Sequence, residues 1–319
     1  MWKYAKSLGL PDDALKISLG EGNTPLLSGV FHGRDVYFKM ESQNPTESYK
    51  DRGTCVLVSF LLSRGVTSAV EDSSGNAGAS FAAYAARAGM EARVFIPESA
   101  SGPKRWQIEM AHAKVERIPG PRAEAARAVL EAVAAGSPYA SHAYMPFGLS
   151  GIATIAYEIL ESLGHAPGTV IAPVGHGGLL YGIMRGFEAL VAAGLIPGSP
   201  YFIGVQPENC APAVAAFQNG MTRIQDVQTS STITEGTSVV KPVRAGAILE
   251  RMLRGGGRMV SASEGEIHDA YIELASMGIF CEPTSSLAVI PLLNDKIELP
   301  GPVVAIMSGS GLKVNSTGA

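Results

Sequence analysis

The alternation of short apolar runs with longer amphipathic segments limits the fold of this chain more than any other sequence feature. Residues 92–96, 169–174 and 303–307 are typical of strands, whereas residues 79–88 and 182–193 are typical of helices. Strands that alternate with helices of about 10–15 residues indicate βαβ units. Because 169–174 and 303–307 are apolar throughout, we expect strands that are covered on both faces. The pattern therefore predicts an α/β fold with mostly parallel, twisted sheets.

The length indicates more than one domain. The chain has 319 residues, and domains have about 150 residues on average. Hydrophobic residues make up 46% of the chain and charged residues 17%, below the usual charged share of about 25%, so a large buried core is expected. Since no Gly/Ser-rich or Pro-rich linker marks a boundary, we expect the chain to cross between two domains more than once.

Charge and cysteine content exclude several classes of protein. The 25 basic and 29 acidic residues give a net charge of −4, which argues against a nucleic-acid partner. Apolar stretches end well before the roughly 18 residues of a membrane span, and residues 1–20 lack the apolar core of a signal peptide. Cys55, Cys210 and Cys281 are far apart, without a C-x-x-C pair. We therefore expect reduced thiols, a cytoplasmic location, and neither a metal site nor a membrane partner.

Four polar or glycine-rich turns stand where strands are expected to end, at 73–78, 175–178, 235–238 and 308–311. In open α/β sheets, ligands bind at the carboxyl ends of strands, close to helix N-termini. The turn at 175–178 follows an apolar strand and opens a helix, so its backbone N–H groups are suited to hold a phosphate. An ordinary tight strand-to-helix turn is an equally good interpretation of this motif alone.

Standard nucleotide motifs are missing. The chain has no Gly-Lys pair for a Walker A loop, and Leu180 stands where a dinucleotide fingerprint needs its third glycine. A nucleotide-phosphate-binding protein therefore stays the weaker alternative. Lys50 follows a Pro-containing turn and precedes an apolar helix. Alone, it is compatible with a solvated lysine, but combined with a phosphate-type turn it predicts a lysine that carries a cofactor as a Schiff base.

Four motifs in order resemble one known family. They are GEGNTPL at 20–26, NPTESYKDRG at 44–53, SSGNAG at 73–78 and GHGG at 175–178. Together they resemble the fold type II pyridoxal-phosphate enzymes (the tryptophan synthase beta-like superfamily), and most of all threonine synthase and its paralogues. The resemblance extends over residues 16–313.

The resemblance implies a cofactor, pyridoxal 5'-phosphate (PLP), and a set of site residues. Lys50 would form the Schiff base and would be the catalytic residue. The implied cofactor-binding residues are Lys50, Asn76, Gly175, His176, Gly177, Gly178, Leu179, Gly236 and Ser308. The implied residues for the substrate carboxylate are Ser73, Ser74, Asn76 and Ala77. Within this set Asn76 would contact the phenolic oxygen of the cofactor, residues 175–179 its phosphate, and Ser308 its ring nitrogen.

The resemblance also implies an architecture. It predicts two three-layer α/β domains, with PLP in the cleft between them. Residues 1–51 and 151–319 would form a large PLP-binding domain, and residues 52–150 a small domain for the substrate carboxylate. We further expect a homodimer.

One departure from the family pattern bears on the substrate. Gly148 stands where threonine synthases carry an arginine for the substrate phosphate. An uncharged glycine makes no bidentate phosphate contact. His142, Lys104, Arg105 or Arg244 could replace the arginine by reaching the same volume, and this alternative stays open. We therefore predict a PLP-dependent lyase of the threonine synthase-like group, in which Lys50 acts through its Schiff base. The reaction would remove a proton at Cα and then eliminate or replace a group on a small amino acid.

Other functions stay open at this stage. A true threonine synthase acting on O-phosphohomoserine is one alternative. A serine/threonine dehydratase is a second, because TITEGTSV at 232–239 resembles the loop of those enzymes. A non-catalytic protein with the PLP fold is a third.

Overall fold

A computed structural model describes residues 1–100 and 102–314 and shows an α/β architecture. The strands are β1 (Leu26–Phe31), β2 (Arg34–Lys39), β3 (Ser68–Glu71), β4 (Glu91–Pro97), β5 (Lys114–Ile118), β6 (Thr169–Pro173), β7 (Tyr201–Pro207), β8 (Gly257–Ala262) and β9 (Val303–Ile306). The α-helices are α1 (Lys50–Ser63), α2 (Asn76–Ala88), α3 (Pro103–Met110), α4 (Arg122–Ala134), α5 (Leu149–Leu163), α6 (Gly178–Ala192), α7 (Pro212–Gln218), α8 (Ala245–Arg251), α9 (Glu264–Ser276) and α10 (Pro283–Ser286).

The first of two compact units contains residues 1–22, 44–151 and 313–314. Its sheet has three parallel strands in the order β3-β4-β5. Helix α2 is rich in alanine and ends at Gly89, which takes the left-handed conformation (φ 64°) that favours glycine. Its apolar core includes the buried side chains of Val58, Phe81, Tyr84, Val94, Ile96 and Ile108.

The second unit contains residues 23–43 and 152–312. Its six strands have the order β1-β2-β9-β6-β7-β8. Every neighbouring pair is parallel except β1 and β2, which form an antiparallel hairpin. The hairpin turns at His32 (φ 48°) and Gly33 (φ 74°). All five residues of β6 are buried, as its apolar sequence predicts.

The predicted fold class is confirmed, because both units are α/β and their sheets are mostly parallel. Strand β1 was not expected from the sequence. It lies at the edge of its sheet, and only Phe31 of its six residues is buried. An edge strand with a solvated face lacks the continuous apolar run that marks a central parallel strand.

The compact units differ in extent from the predicted domains. Residues 1–22 and 44–51 lie in the first unit, whereas the prediction grouped them with 151–319. Hydrogen bonds inside the unit hold this N-terminal segment: the Tyr84 hydroxyl donates to Glu21 (2.7 Å), and the Ser150 hydroxyl donates to the Leu8 carbonyl (2.8 Å). The division into a PLP-binding and a carboxylate-binding domain stays a prediction. Within residues 1–100 and 102–314, no helix is long and apolar enough to cross a membrane.

Candidate active site

Lys50 is the first residue of helix α1 in the first unit. The next residue, Asp51, is fully buried and fixes this end of the helix. Its carboxylate accepts hydrogen bonds from the Thr46 amide (2.6 Å) and from the Ser80 hydroxyl (2.6 Å). Since Ser80 lies on α2, this bond ties the first turn of α1 to the second turn of α2. Burial raises the pKa of Asp51 to about 6.

The Lys50 amine has a neighbour that the family motif does not supply. Its Nζ donates to the Tyr49 hydroxyl over 2.8 Å and lies 4.6 Å from the centre of the Tyr49 ring. The motif in the resembling enzymes has phenylalanine at this position, so the hydroxyl is specific to this chain's version of the segment.

The turn predicted to hold the substrate carboxylate leads from β3 into α2. Gly75 precedes the first helical residue, Asn76, and its N–H donates to the Ser73 hydroxyl (3.2 Å). A Cβ at Gly78 would lie 1.8 Å from the Ser73 carbonyl oxygen, so only glycine lets the turn close in this way. The N-terminal N–H groups of a 13-residue helix favour an anion at this position. Ser73 and Ala77 are buried, whereas Ser74 and Asn76 are half-buried.

A cluster of titratable side chains lies at the carboxyl end of β3, next to this turn. Glu71 is the last residue of β3 and is fully buried. One of its carboxylate oxygens is 2.7 Å from His142 Nδ1, and the other accepts from the Asp72 amide (2.9 Å). The Tyr139 hydroxyl donates to Asp72 over 2.7 Å. Glu71 and His142 therefore form a buried hydrogen-bonded pair.

The protonation of this pair is shifted by burial and by nearby charges. Burial raises the pKa of Glu71 to about 7, partly offset by hydrogen bonds from Asp72 and by the Lys50 ammonium. Burial lowers the pKa of His142 well below its usual value, and the Lys50 charge lowers it further. Burial, followed by the charge of Glu71, raises the pKa of Asp72. Lys50 and the pair are therefore close enough to affect each other electrostatically.

The predicted phosphate turn lies in the second unit, where it opens helix α6. Gly177 precedes the helix in the left-handed conformation (φ 86°), and a Cβ there would lie 2.7 Å from Ile248 and 3.1 Å from the Arg244 Cβ. The Arg244 amide donates to the His176 carbonyl (2.9 Å). A Cβ at Gly178 would meet no atom of the described residues within 4 Å, so these residues leave space beside the helix N-terminus. Leu179 is buried under the turn.

The structure brings Gly236 together with this turn. A Cβ at Gly175 would lie 2.4 Å from the Gly236 carbonyl oxygen. Gly236 lies in a single 3-10 turn (Glu235–Thr237), which is held by the Thr237 hydroxyl bonding to the Thr234 carbonyl (2.9 Å). Residue 175 therefore has to be glycine for the two backbones to approach this closely, whereas a Cβ at Gly236 would meet the Thr284 hydroxyl at 3.1 Å.

Ser308 lies just beyond the carboxyl end of β9 and is buried. Its hydroxyl is 3.1 Å from the Ser285 hydroxyl and donates to the Glu282 carboxylate over 3.3 Å. The Gly309 amide donates to the Ser285 hydroxyl (3.0 Å). Ser308 therefore offers a neutral hydroxyl, and the Glu282 carboxylate lies within hydrogen-bonding distance of it.

These residues fit the chemistry of PLP. The open N-terminus of α6, with Arg244 beside it, suits a phosphate group. The Ser308 hydroxyl suits a ring nitrogen that stays unprotonated, provided that its one proton turns from Glu282 to that nitrogen. Lys50 supplies a primary amine at the start of α1. The phosphate turn, Gly236 and Ser308 lie in the second unit, whereas Lys50 and the turn at 73–77 lie in the first.

Sequence reasoning did not find several polar residues at these places. Glu71 and Glu282 carried no assigned role, His142 was named only as a possible replacement for the missing arginine, and Tyr49 was treated only as part of a motif. The acidic pair Glu71-Asp72 directly before the SSGNAG turn was the available signal. The hydrogen-bond partner of Glu71, His142, lies 71 residues further along the chain. A local sequence pattern does not relate residues that are so far apart.

Comparison with known proteins agrees with these features. Residues 17–309 match the family described as pyridoxal-phosphate dependent enzyme. Threonine synthase of Methanocaldococcus jannaschii is 34% identical over 98% of this chain and 80% of that protein. Threonine synthase of Mycobacterium leprae is 32% identical over 97% of this chain and 87% of that protein.

Among solved structures, the threonine deaminase from T.th. has a similar fold. Its TM-score is 0.78 at 24% identity, and the match covers 92% of this chain and 94% of that one. At this identity the likeness is one of fold. From the family match and the threonine synthase relatives together, it follows that the chain belongs to the pyridoxal-phosphate dependent enzymes and, within them, to the threonine synthase-like group of lyases.

Proposed function

We propose that this enzyme eliminates or replaces a group at Cβ of a small amino acid whose leaving group carries no phosphate. The observation that carries the proposal is the packing of Gly148. A Cβ built at Gly148 would lie 3.0 Å from the Gly53 carbonyl oxygen and 3.2 Å from the Gly53 Cα, both in the backbone of α1. At the position that holds an arginine in the resembling enzymes, even the first side-chain carbon is therefore tight, and a longer side chain would require the Gly53 backbone to shift by a few tenths of an ångström.

The charges near Lys50 support the same conclusion. Glu71 stands at the end of β3, and above about pH 7, where it is mostly ionised, its carboxylate would repel a phosphate dianion. A true threonine synthase needs several donors to that dianion. An amino acid with a hydroxyl or acyl leaving group needs none of them.

The residues divide the chemical work as follows. The cofactor, when bound, supplies an electron sink for the electrons released at Cα. Lys50 Nζ would carry the cofactor and then take the proton from Cα. The turn of Ser73, Ser74, Asn76 and Ala77 would hold the substrate carboxylate through its N–H groups and hydroxyls. Residues 175–179 and Gly236 would hold the cofactor phosphate and cover the ring.

Ser308 supports elimination or replacement over transamination. A neutral hydroxyl does not stabilise a protonated ring nitrogen as a carboxylate in direct contact would. The Glu282 carboxylate accepts the Ser308 proton over 3.3 Å, a long hydrogen bond that the hydroxyl would exchange for one to the ring nitrogen. A weaker electron sink favours loss of a group from Cβ.

Steady-state assays on the purified enzyme test the proposal. L-Serine, L-threonine, O-acetyl-L-serine and O-phosphohomoserine would be compared under the same conditions. We expect turnover of at least one of the first three, and a kcat/KM for phosphohomoserine below about 10⁴ M⁻¹s⁻¹, the lower end for ordinary enzymes. A higher value for phosphohomoserine would establish a true threonine synthase instead.

The cytoplasmic location and the homodimer remain predictions. They rest on the sparse, unpaired cysteines and on the resemblance. Light scattering on the eluting protein would give the mass of the assembly, and a monomer would contradict the second of them.

A further inference from the structure

Glu71 and His142 form a second set of titratable side chains near Lys50. None of the roles proposed above involves this pair. Its two members come from distant parts of the chain. A short bridge brings them together: the Val70 amide donates to the Pro138 carbonyl (2.9 Å) and the Ala140 amide donates to the Val70 carbonyl (2.8 Å). This bridge places the segment that contains His142 alongside the last residues of β3.

The pair lies at the edge of the sheet where α/β units bind their ligands. In open α/β sheets, functional side chains gather at the carboxyl ends of the strands. Glu71 ends β3, and the turn assigned to the substrate carboxylate begins two residues later. The Ser80–Asp51 bond (2.6 Å) holds the start of α2, and with it this turn, to the start of α1 at Lys50.

The accessibility of the two side chains differs in a way that suits proton delivery. The Glu71 side chain is 1% exposed, whereas the His142 side chain is 19% exposed. His142 engages Glu71 through Nδ1 (2.7 Å), so Nε2 is the ring nitrogen directed away from the carboxylate. A buried carboxylate that bonds to one imidazole nitrogen fixes the ring and its tautomer.

We propose that His142 is the proton donor to the leaving group of the substrate, and that Glu71 is the positioning residue that holds its ring and passes a proton to Nδ1 as Nε2 releases one. This inference rests on the proposed function. It also commits the enzyme to a leaving group that departs through an oxygen atom, such as a hydroxyl.

The elimination needs no reactant other than the substrate, the enzyme and a proton from solvent. Lys50 Nζ takes the proton from Cα, and the electrons of that bond form the Cα–Cβ double bond. The Cβ–O bond breaks with its electron pair on oxygen, and the oxygen takes the proton held by the Glu71–His142 pair. Water leaves, and the pair regains its proton from solvent.

Charged or titratable groups face the pair from each element packed around it. Lys50 lies at the start of α1, Asp72 follows β3, and Tyr139 belongs to the bridging segment. Arg122 begins α4, and its charge lowers the pKa of Glu71 and of His142. Since the pKa of Glu71 is raised to about 7, the pair holds its proton below neutral pH and loses it as the pH rises.

The decisive experiment compares two leaving groups in His142→Asn. The asparagine amide keeps a polar atom at the position of Nδ1 but does not ionise. One substrate is L-serine or L-threonine, whichever the wild type eliminates faster. The other is 3-chloro-L-alanine, since chloride leaves without a proton. His165→Asn, at an exposed turn, is the matched control.

We expect His142→Asn to lose about 10²- to 10⁴-fold in kcat on the hydroxyl substrate, the usual contribution of a general acid. On 3-chloro-L-alanine it should stay within a few-fold of the wild type. An equal loss on both substrates, or no loss on either, would overturn the assignment. A wild type that is inert towards every substrate overturns the proposed function, and this inference falls with it.

A second measurement does not depend on turnover. The ¹⁵N shifts of the His142 ring in the holoenzyme, assigned with His142→Asn, should change with pH around 7. In Glu71→Gln that transition should disappear, because the partner no longer titrates. A His142 ring whose shifts are the same in both proteins would show that the two residues do not share a proton, and would overturn the role of Glu71.

Discussion

Lys50 Nζ and the Tyr49 hydroxyl are hydrogen-bonded over 2.8 Å, so the amine assigned to the cofactor has a phenol from the preceding residue as its partner. The two residues straddle the start of α1, where Tyr49 precedes the first helical residue. The bond directs the amine towards the Tyr49 hydroxyl. It also gives the lysine a polar neighbour that a phenylalanine does not offer.

Lys50→Ala should abolish retention of the cofactor through a covalent bond and lower kcat by several orders of magnitude. The variant removes both the amine that binds the cofactor and the base for Cα. Borohydride reduction followed by peptide mapping should place the label on Lys50 in the wild type. The exposed Lys296→Ala should keep the label and the activity. A pyridoxyl group on another lysine would refute the assignment.

Tyr49→Phe should retain the cofactor but change how fast the apoenzyme takes it up. One hydrogen bond to a half-buried amine is worth about 1 kcal/mol, which corresponds to about 5-fold. The rise of visible absorbance after PLP is added to the apoenzyme measures this rate. Tyr271→Phe, in the second unit, is the control. If Tyr49→Phe and the wild type load at the same rate, the hydroxyl has no part in presenting the amine.

Gly177→Asp should weaken PLP binding by 10-fold or more, which corresponds to a loss of at least about 1.4 kcal/mol. The new side chain would meet Ile248 and Arg244, would strain a backbone at φ 86°, and would place a negative charge at the helix N-terminus. Equilibrium dialysis measures the affinity.

Gly194→Asp is the matched control for that variant. Gly194 follows α6 at its other end, with a similar backbone (φ 70°) and nothing within 4 Å of an added Cβ. Equal loss of affinity in both variants would mean that the effect comes from damage to the helix and that the phosphate binds elsewhere.

The sequence was sufficient to predict the strands whose hydrophobic pattern is strong. Strands β4, β6 and β9 were predicted at 92–96, 169–174 and 303–307, and each observed end lies within one residue of the predicted one. Strand β3 was missed, because its four residues, Ser68–Glu71, are too few to show a period. That omission also hid Glu71, whose importance depends on its standing at the end of a strand.

The candidate site divides in the same way. Residues inside contiguous motifs, such as Lys50 and Gly177, were found because local chemistry and local turns explain them. His142 and Glu282 were not, because their roles depend on partners that only the folded chain supplies. The packing of Gly148 against Gly53 likewise requires the tertiary structure. From the sequence alone, Gly148 indicated only that the positive charge of an arginine is absent.

Asp51→Asn should remove a specific pH dependence of stability. Burial raises the pKa of Asp51 to about 6 from an ordinary 3.8. Between these values the folded chain binds the proton and the unfolded chain does not. The contribution of Asp51 is therefore largest below the lower value and is lost as the pH rises through 6, by at most about 1.4 kcal/mol per pH unit.

Urea denaturation of both proteins at pH 4 and pH 7 isolates this contribution. The difference in free energy of unfolding, wild type minus Asp51→Asn, should be more favourable to the wild type at pH 4. An unchanged difference between the two pH values would mean that Asp51 titrates normally in the folded protein.

Gly148→Arg should fail to create phosphohomoserine activity. A charged donor in such a site contributes about 2–4 kcal/mol, or 30- to 1000-fold in kcat/KM, only if its side chain reaches the substrate. The first carbon of that side chain would already press on the Gly53 backbone, so overpacking by about 1–3 kcal/mol is expected instead. Thermal melting should show the loss of stability, and Gly148→Ala should show part of it.

Gly198→Arg, where no described atom lies within 4 Å of an added Cβ, should melt like the wild type. A stable Gly148→Arg enzyme that gains 30-fold or more on phosphohomoserine would mean that the position had room and lacked only the charge.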